Sequence, residues 1–296
     1  MGTNSNMLKY RLLFGTLMTL FFIGVTLLGG WLDGSFAASS AESVLPIKGT
    51  VLCVLIALLA IPAQMEMSSL LGRGGITIFG PIAIPASILL ATSWYWRQFY
   101  PAQIEFHLYY LLFVSAILLL LLFLYQSLRF GNAGTAVNCA GNFFSCFYLG
   151  FLSSFVLGIR IDFGLWATLM FVFTIKSSDI GAYTLGRLFG RHKFSPKISP
   201  SKTWEGIAGA VIFAAIVAVI FSKCCGIISW RSAVTFGAVF AVLGQLGDLA
   251  ESMIKRDAEQ KDSANSVPGF GGILDIIDSP LATAPLAYLF FILTAH

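Results

Sequence analysis

Charge is the scarcest commodity in this chain of 296 residues. Asp, Glu, Lys and Arg together make up 11% of it, against 57% hydrophobic residues. A chain so poor in charge cannot dress a water-facing surface, which excludes an ordinary soluble domain. Cysteine offers no framework either. The five cysteines, Cys53, Cys139, Cys146, Cys224 and Cys225, form no CxxC pair and have no histidine at zinc spacing, so they read as inert membrane residues. No internal repeat relates the two halves, which counts against an inverted-repeat transporter.

What the sequence does have is long apolar runs. A bilayer span needs roughly 20 predominantly apolar residues, and spans are expected over Leu12 to Trp31, Thr50 to Leu71, Ile76 to Trp96, Leu108 to Leu128, Phe143 to Ile159, Ile207 to Phe221, Ala233 to Leu249 and Pro280 to Ala295. A shorter run, Phe163 to Ile175, continues through Lys176-Ser177-Ser178-Asp179 and reads as a further span with buried polar groups. The expected fold class is therefore an all-α, polytopic integral membrane protein of about nine transmembrane helices.

Basic residues orient these spans, because short cytoplasmic loops are enriched in them. With the N-terminus in the cytoplasm, Lys9, Arg11, Arg73, Arg129, Arg187, Arg191, Lys193, Lys197, Lys202, Lys255, Arg256 and Lys261 share one face, and only Lys48, Arg97, Arg160, Lys223 and Arg231 lie on the other. This puts the C-terminus outside and the charge-rich loops 184–205 and 250–279 at the cytoplasmic side, where a site cavity is expected. The apolar run after Lys9 and Arg11 is too long for a signal peptide, despite the small residues Ala37-Ala38-Ser39-Ser40-Ala41.

Residues 1–135 read as scaffold. Their acids, Asp33, Glu42, Glu66 and Glu105, are scattered, and Gly72-Arg73-Gly74-Gly75 reads as a plain loop, since no Lys-Ser or Lys-Thr follows it. Residues 136–296 carry the chemistry. Lys176 and Asp179 sit at helical spacing in an apolar span, where charges are expensive; a mutual ion pair and a polar cavity both account for them. Gly186 and Gly190 form a small-xxx-small pair suited to close helix packing. Ser201, Lys202 and Thr203 are expected at the start of a helix, where free N–H groups receive phosphate and where a simple N-cap with Glu205 beside the first turn is the alternative.

Asp248, Glu251, Ser252 and Lys255 recur at three- and four-residue intervals and so share one face of a helix. An acid, a hydroxyl and an ammonium on one face can hold a metal-bound phosphate. The stretch from Ser252 to Asp278 adds Arg256 and Lys261 as potential phosphate ligands and Asp275 and Asp278 as potential metal ligands, around the flexible turn Pro268-Gly269-Phe270-Gly271-Gly272. That is the equipment of a phosphoryl-transfer site.

In order and spacing, Ser252, Lys255, Arg256, Lys261, Asp262, Pro268, Gly269, Gly271, Gly272, Asp275 and Asp278 resemble the signature of the phosphatidate cytidylyltransferase (CDP-diacylglycerol synthase) family. Ser201 to Gly206 and Gly247-Asp248 resemble further motifs of it. Phe270 stands where that family usually has histidine and Ile276 where it usually has arginine, so any phosphate clamp by that arginine falls to another cation such as Arg256 or Lys202.

The resemblance implies transfer of CMP from CTP to phosphatidic acid, with release of pyrophosphate. It implies Mg²⁺, with room for a monovalent cation, held by Asp248 and Asp275 with Asp278 close by. Lys255, Arg256 and Lys261, beside Ser252, would neutralise the departing phosphates. Ser201 and Lys202 would position a phosphate, with Lys176 and Asp179 in the substrate cavity. The implied partners are CTP, phosphatidic acid and the bilayer, without nucleic acid and with room for a homodimer, and the implied setting is a bacterial inner membrane. Two rivals share parts of this chemistry: a CTP-dependent polyprenol or phytol kinase, and an ion-coupled transporter using Lys176, Asp179 and Asp248.

Overall fold

The computed structural model describes residues 2–35, 47–100, 105–267, 269 and 271–294. The small-residue stretch Ala37 to Ala41, Pro268 and Phe270 lie outside these. Among the described residues the regular structure is helical apart from one two-stranded hairpin. The helices are α1 (Gly2–Leu32), α2 (Thr50–Arg73), α3 (Gly80–Ala91), α4 (Ser93–Arg97), α5 (Phe106–Arg129), α6 (Thr135–Cys146), α7 (Leu152–Asp162), α8 (Gly164–Phe189), α9 (Trp204–Cys225), α10 (Trp230–Asp257) and α11 (Leu274–Thr294). A π-helical turn, Phe147–Phe151, joins α6 to α7, and the antiparallel strands β1 (Lys193–Ser195) and β2 (Ser199–Thr203) precede α9.

Among the described residues, seven helices are long and apolar enough to cross a membrane: Leu13–Leu32, Thr50–Arg73, Phe106–Arg129, Thr135–Asp162, Trp204–Cys225, Trp230–Asp257 and Leu274–Thr294. Two expected spans take other forms. Ile76 to Trp96 is divided at Thr92 between the 12-residue α3 and the short α4. The span from Phe163 is the 26-residue α8, whose mid-length Lys176 to Asp179 dilutes its apolar character.

Side-chain distribution identifies the solvent. On α9, Ala210, Ala214 and Ala218 are fully buried, whereas Ile212, Ile216 and Ile220 are each at least half exposed. Small residues face inward and large apolar ones outward, the reverse of a water-soluble helix and the pattern of one that packs closely inside lipid. The chain is an integral membrane protein.

The chain divides into two compact units: Met1–Leu157 with Asp257–Ile276, and Gly158–Arg256 with Ile277–His296. The first is built round Phe79, Ala83, Leu90, Leu118, Leu122 and Cys146, contributed by α3, α5 and α6 with the residue before α3. A ladder of neutral polar groups runs through it. Gln64 Nε2 donates to Ser145 Oγ at 2.9 Å and Ser87 Oγ to Gln64 Oε1 at 2.9 Å. Asn142 accepts from Phe79 N at 2.7 Å and donates to Thr77 O at 2.9 Å, and Asn138 accepts from Thr77 N at 2.9 Å. Backbone that leaves a helix at membrane depth needs such partners, because lipid offers none.

The second unit is held by close backbone approach. A Cβ at Gly181 of α8 would strike the Gly209 carbonyl of α9, and one at Gly237 of α10 would strike the backbone of Ala215. Gly186 lies against Gly206 and Thr203, so the small-xxx-small reading of that segment holds.

Candidate active site

α10 does not stop at the apolar run but continues to Asp257, which places Asp248, Glu251, Ser252 and Lys255 on one helix as their spacing predicts. Glu251, Ser252 and Lys255 are buried, Glu251 completely. On α11, Asp278 is also buried, its Oδ1 accepting from Ser279 N at 2.6 Å. Small residues bring these helices together: a Cβ at Gly247 would meet Ala282 Cβ at 2.7 Å. As a result, one carboxylate oxygen from each of Asp248, Glu251 and Asp278 lies within 4.8 Å of the other two.

Two lysines meet this carboxylate group. Lys202 Nζ lies 2.7 Å from Asp248 Oδ2 and donates to Gln245 O at 2.9 Å. Lys255 Nζ lies 2.6 Å from Glu251 Oε2, with both side chains nearly out of reach of solvent. Lys176 and Asp179 do form the local pair, at 3.4 Å, and that pair is also part of a wider polar path, since Gln245 Nε2 donates to Asp179 Oδ1 at 3.3 Å. The path runs Lys176, Asp179, Gln245, Lys202, Asp248.

Such a group suits a hard divalent cation. Mg²⁺ prefers one or two carboxylates plus phosphate oxygens, and three converging carboxylates with only two ammonium groups leave negative charge for a cation to balance. Desolvation also makes each charge here count for more than it would in water.

One sequence expectation is corrected. Ser201 and Lys202 lie on β2, not in the first turn of α9, because Thr203 is the cap: its backbone is extended and its Oγ1 accepts from Gly206 N at 3.1 Å. Prolines 196 and 200 favour extended backbone over helix here. Glu205 Oε1 holds the start of the hairpin at 2.6 Å from His192 Nδ1. Ser201 is exposed, whereas β2 delivers Lys202 to Asp248.

The remaining candidates stand elsewhere. Arg256 Nε donates to Ile198 O at 3.3 Å, joining α10 to the hairpin loop. Lys261 is exposed and lines a cavity of about 460 Å³ within the first unit, with Ser69 and Arg73 among its neighbours. Asp275 also belongs to the first unit, where its Oδ2 accepts from Ser263 N at 2.9 Å and Gly272 N at 2.7 Å. Val267 N donates to Gly271 O at 2.8 Å, and Gly269 and Gly271 are at positive φ, which glycine alone adopts freely.

Two residues of the carboxylate site carry little local signal. Gln245 sits inside the apolar run from Ala233 to Leu249, a lone amide three residues before Asp248, and its role shows only through its bonds to Lys202 and Asp179. Glu251 shares the predicted helix face with Asp248, and its convergence with Asp278 depends on the packing of α11.

Buried carboxylates bonded to lysines, on helices apolar enough to cross a membrane, define a class of site that can hold a cation and meet an anion. Residues 9–294 match the model of the cytidylyltransferase family, and the chain belongs to that family. It is similar to the phosphatidate cytidylyltransferase of Haemophilus influenzae, with 39% identity over 134 residues covering 43% of this chain and 46% of that protein. The phosphatidate cytidylyltransferase of Bacillus subtilis is 40% identical over 144 residues, 48% and 54% of the two chains. That of Thermotoga maritima is 36% identical over 150 residues, 49% and 56%. The chain spans about half the length of the curated relatives it matches.

Proposed function

We propose that this protein is a phosphatidate cytidylyltransferase, which joins CMP from CTP to the phosphate of phosphatidic acid. The observation that carries the reading is the convergence of Asp248, Glu251 and Asp278 with Lys202 and Lys255 bonded to them, in a member of the cytidylyltransferase family.

The nucleophile is a phosphate oxygen of phosphatidic acid, already an anion, so no strong base is required. It forms a bond to the α-phosphorus of CTP as the bond from that phosphorus to the oxygen bridging to the β-phosphorus breaks, and the electron pair leaves with pyrophosphate. The obstacle is repulsion between two polyanions. Lys202 and Lys255 answer it by moving from carboxylate to phosphate partners, with Arg256, Lys261 and Ser252 as further phosphate contacts and Ser201 at the exposed entrance. Gln245 keeps Lys202 and Asp179 in register, and Lys176 with Asp179 extends the cavity wall. Asp248, Glu251 and Asp278 would hold Mg²⁺, which would supply charge neutralisation at the triphosphate, while Asp275 would order the segment whose Ser263 and Gly272 N–H groups it accepts from.

The membrane is a working part of the scheme. Phosphatidic acid keeps its chains in lipid, and CTP is cytosolic, so the site belongs at the cytoplasmic boundary. With α3 and α8 counted among about nine crossings, the connections between α8 and α9 and between α10 and α11 would face the cytoplasm, in a bacterial inner membrane.

The test is incubation of the purified chain, in lipid nanodiscs, with labelled CTP, phosphatidic acid and Mg²⁺. Pyrophosphate and a CMP-bearing lipid are expected. Release of CDP with a phosphorylated polyprenol would establish the kinase instead, and solute flux without CTP consumption the transporter.

A further inference from the structure

Glu66 lies in α2, about 200 residues before the segment it holds. Its Oε1 accepts from Ser266 Oγ at 2.9 Å and Ile273 N at 3.0 Å, and its Oε2 accepts from Leu274 N at 2.9 Å and lies 3.0 Å from Ser263 Oγ. The residue is 6% exposed. All four donors come from the stretch between Ser263 and Leu274, and two are N–H groups at the start of α11. Such groups have no acceptor within their own helix and sit at the positive end of its dipole.

The contact reaches a second acid. A hydroxyl has one proton to give, and that of Ser263 stands between Glu66 and Asp275 Oδ2, the latter at 2.9 Å. Gly272 is fitted to the arrangement, because a Cβ there would collide with Ser263 Oγ and with the Glu66 carboxylate. Glu66 also shares its cavity with Arg73 and Lys261. A buried carboxylate costs a great deal unless it is fully hydrogen-bonded, and here every bond goes to the one segment that ends in Asp275 and follows directly on Lys261.

We infer that Glu66 is a positioning residue for cytidylyl transfer: it fixes the geometry of Ser263 to Leu274, and through it the placement of Lys261 and Asp275 toward CTP, without touching substrate. The inference rests on the proposed function. A residue of the scaffold half, with no place in the signature, thus governs how the signature segment meets the nucleotide.

The experiment measures kcat and KM for both substrates in nanodiscs for the unmodified chain, Glu66→Gln and Ser266→Ala, alongside thermal unfolding. Glutamine keeps one acceptor oxygen and turns an NH2 group toward two donors. For Glu66→Gln, kcat/KM for CTP is expected to fall roughly 10- to 100-fold, the scale of a small misplacement of reacting groups, while KM for phosphatidic acid stays within about twofold. Wild-type kcat/KM for CTP, or a loss that follows the folded fraction alone with both KM values unchanged, overturns the inference. If Glu66→Gln yields no folded protein, Ser266→Ala decides: removing one donor is expected to lower the unfolding midpoint slightly and to raise KM for CTP about two- to fivefold in the folded protein, and an unchanged KM overturns the inference. An unmodified chain that makes no CMP-lipid overturns the functional reading itself, a result distinguishable from equal activity of the variants.

Discussion

The two units bury polar groups of different kinds. In the first, the ladder of Gln64, Ser87, Asn138, Asn142 and Ser145 is neutral, and each of its bonds ties one stretch of backbone or helix to another. In the second, buried Glu251, Lys255 and Asp278 are ionisable, and they converge with Asp248 and Lys202 on one small volume. Amides and hydroxyls suffice to satisfy backbone in lipid. Charges far exceed that need, so their concentration in one place marks chemistry. The first unit also buries the acids Asp33 and Glu66, and Glu66 is the instructive one, engaged by the segment 263–274.

The contrast can be broken at several points. The largest effect is expected from Asp248→Asn, which keeps the shape but removes a charge from the cluster. CMP-lipid synthesis should fall on the order of 10³-fold with an unchanged unfolding midpoint. A parallel loss of folded protein would mean that the cluster is structural.

Next, Lys255→Met strands the Glu251 carboxylate and should destabilise the fold by about 3 kcal/mol, seen as a lower unfolding midpoint. Glu251→Met combined with Lys255→Met should restore the midpoint but not the activity. Recovery of both would make the pair a mere strut. Gly181→Ala, which drives a methyl group into the Gly209 carbonyl, should cost about 1–3 kcal/mol and reduce activity, since α8 and α9 carry the framework on which Asp179 and Lys202 stand. The smallest effect is expected from Asn142→Ala: about 1–2 kcal/mol of stability, with kcat for the folded fraction unchanged.

Much of this architecture was legible because membrane helices are governed by length and apolarity. α2, α5, α9, α10 and α11 follow the apolar runs closely, and the continuation of α10 through Lys255 follows from the spacing of Asp248, Glu251 and Ser252. Local pattern failed where distant contact decides. Nothing near Lys202 announces that its strand carries it to Asp248, and nothing near Glu66 announces donors about 200 residues away. The split of the third run has only the hydroxyl pair Thr92-Ser93 to mark it in a largely apolar stretch, and the partners of Thr77 and Phe79 come from Asn138 and Asn142 on α6. Lys176 and Asp179 were visible as costly charges, yet their link to the site passes through Gln245, a residue without charge to betray it.

The central claim, that Asp248, Glu251 and Asp278 together seat a divalent cation, is tested most directly by Mn²⁺ binding followed by electron paramagnetic resonance, in nanodiscs with a non-cleavable CTP analogue. The unmodified chain should bind Mn²⁺ saturably and release it to excess Mg²⁺, and Asp278→Asn should weaken that binding roughly 10- to 100-fold. Equal Mn²⁺ affinity in the two proteins would contradict the account.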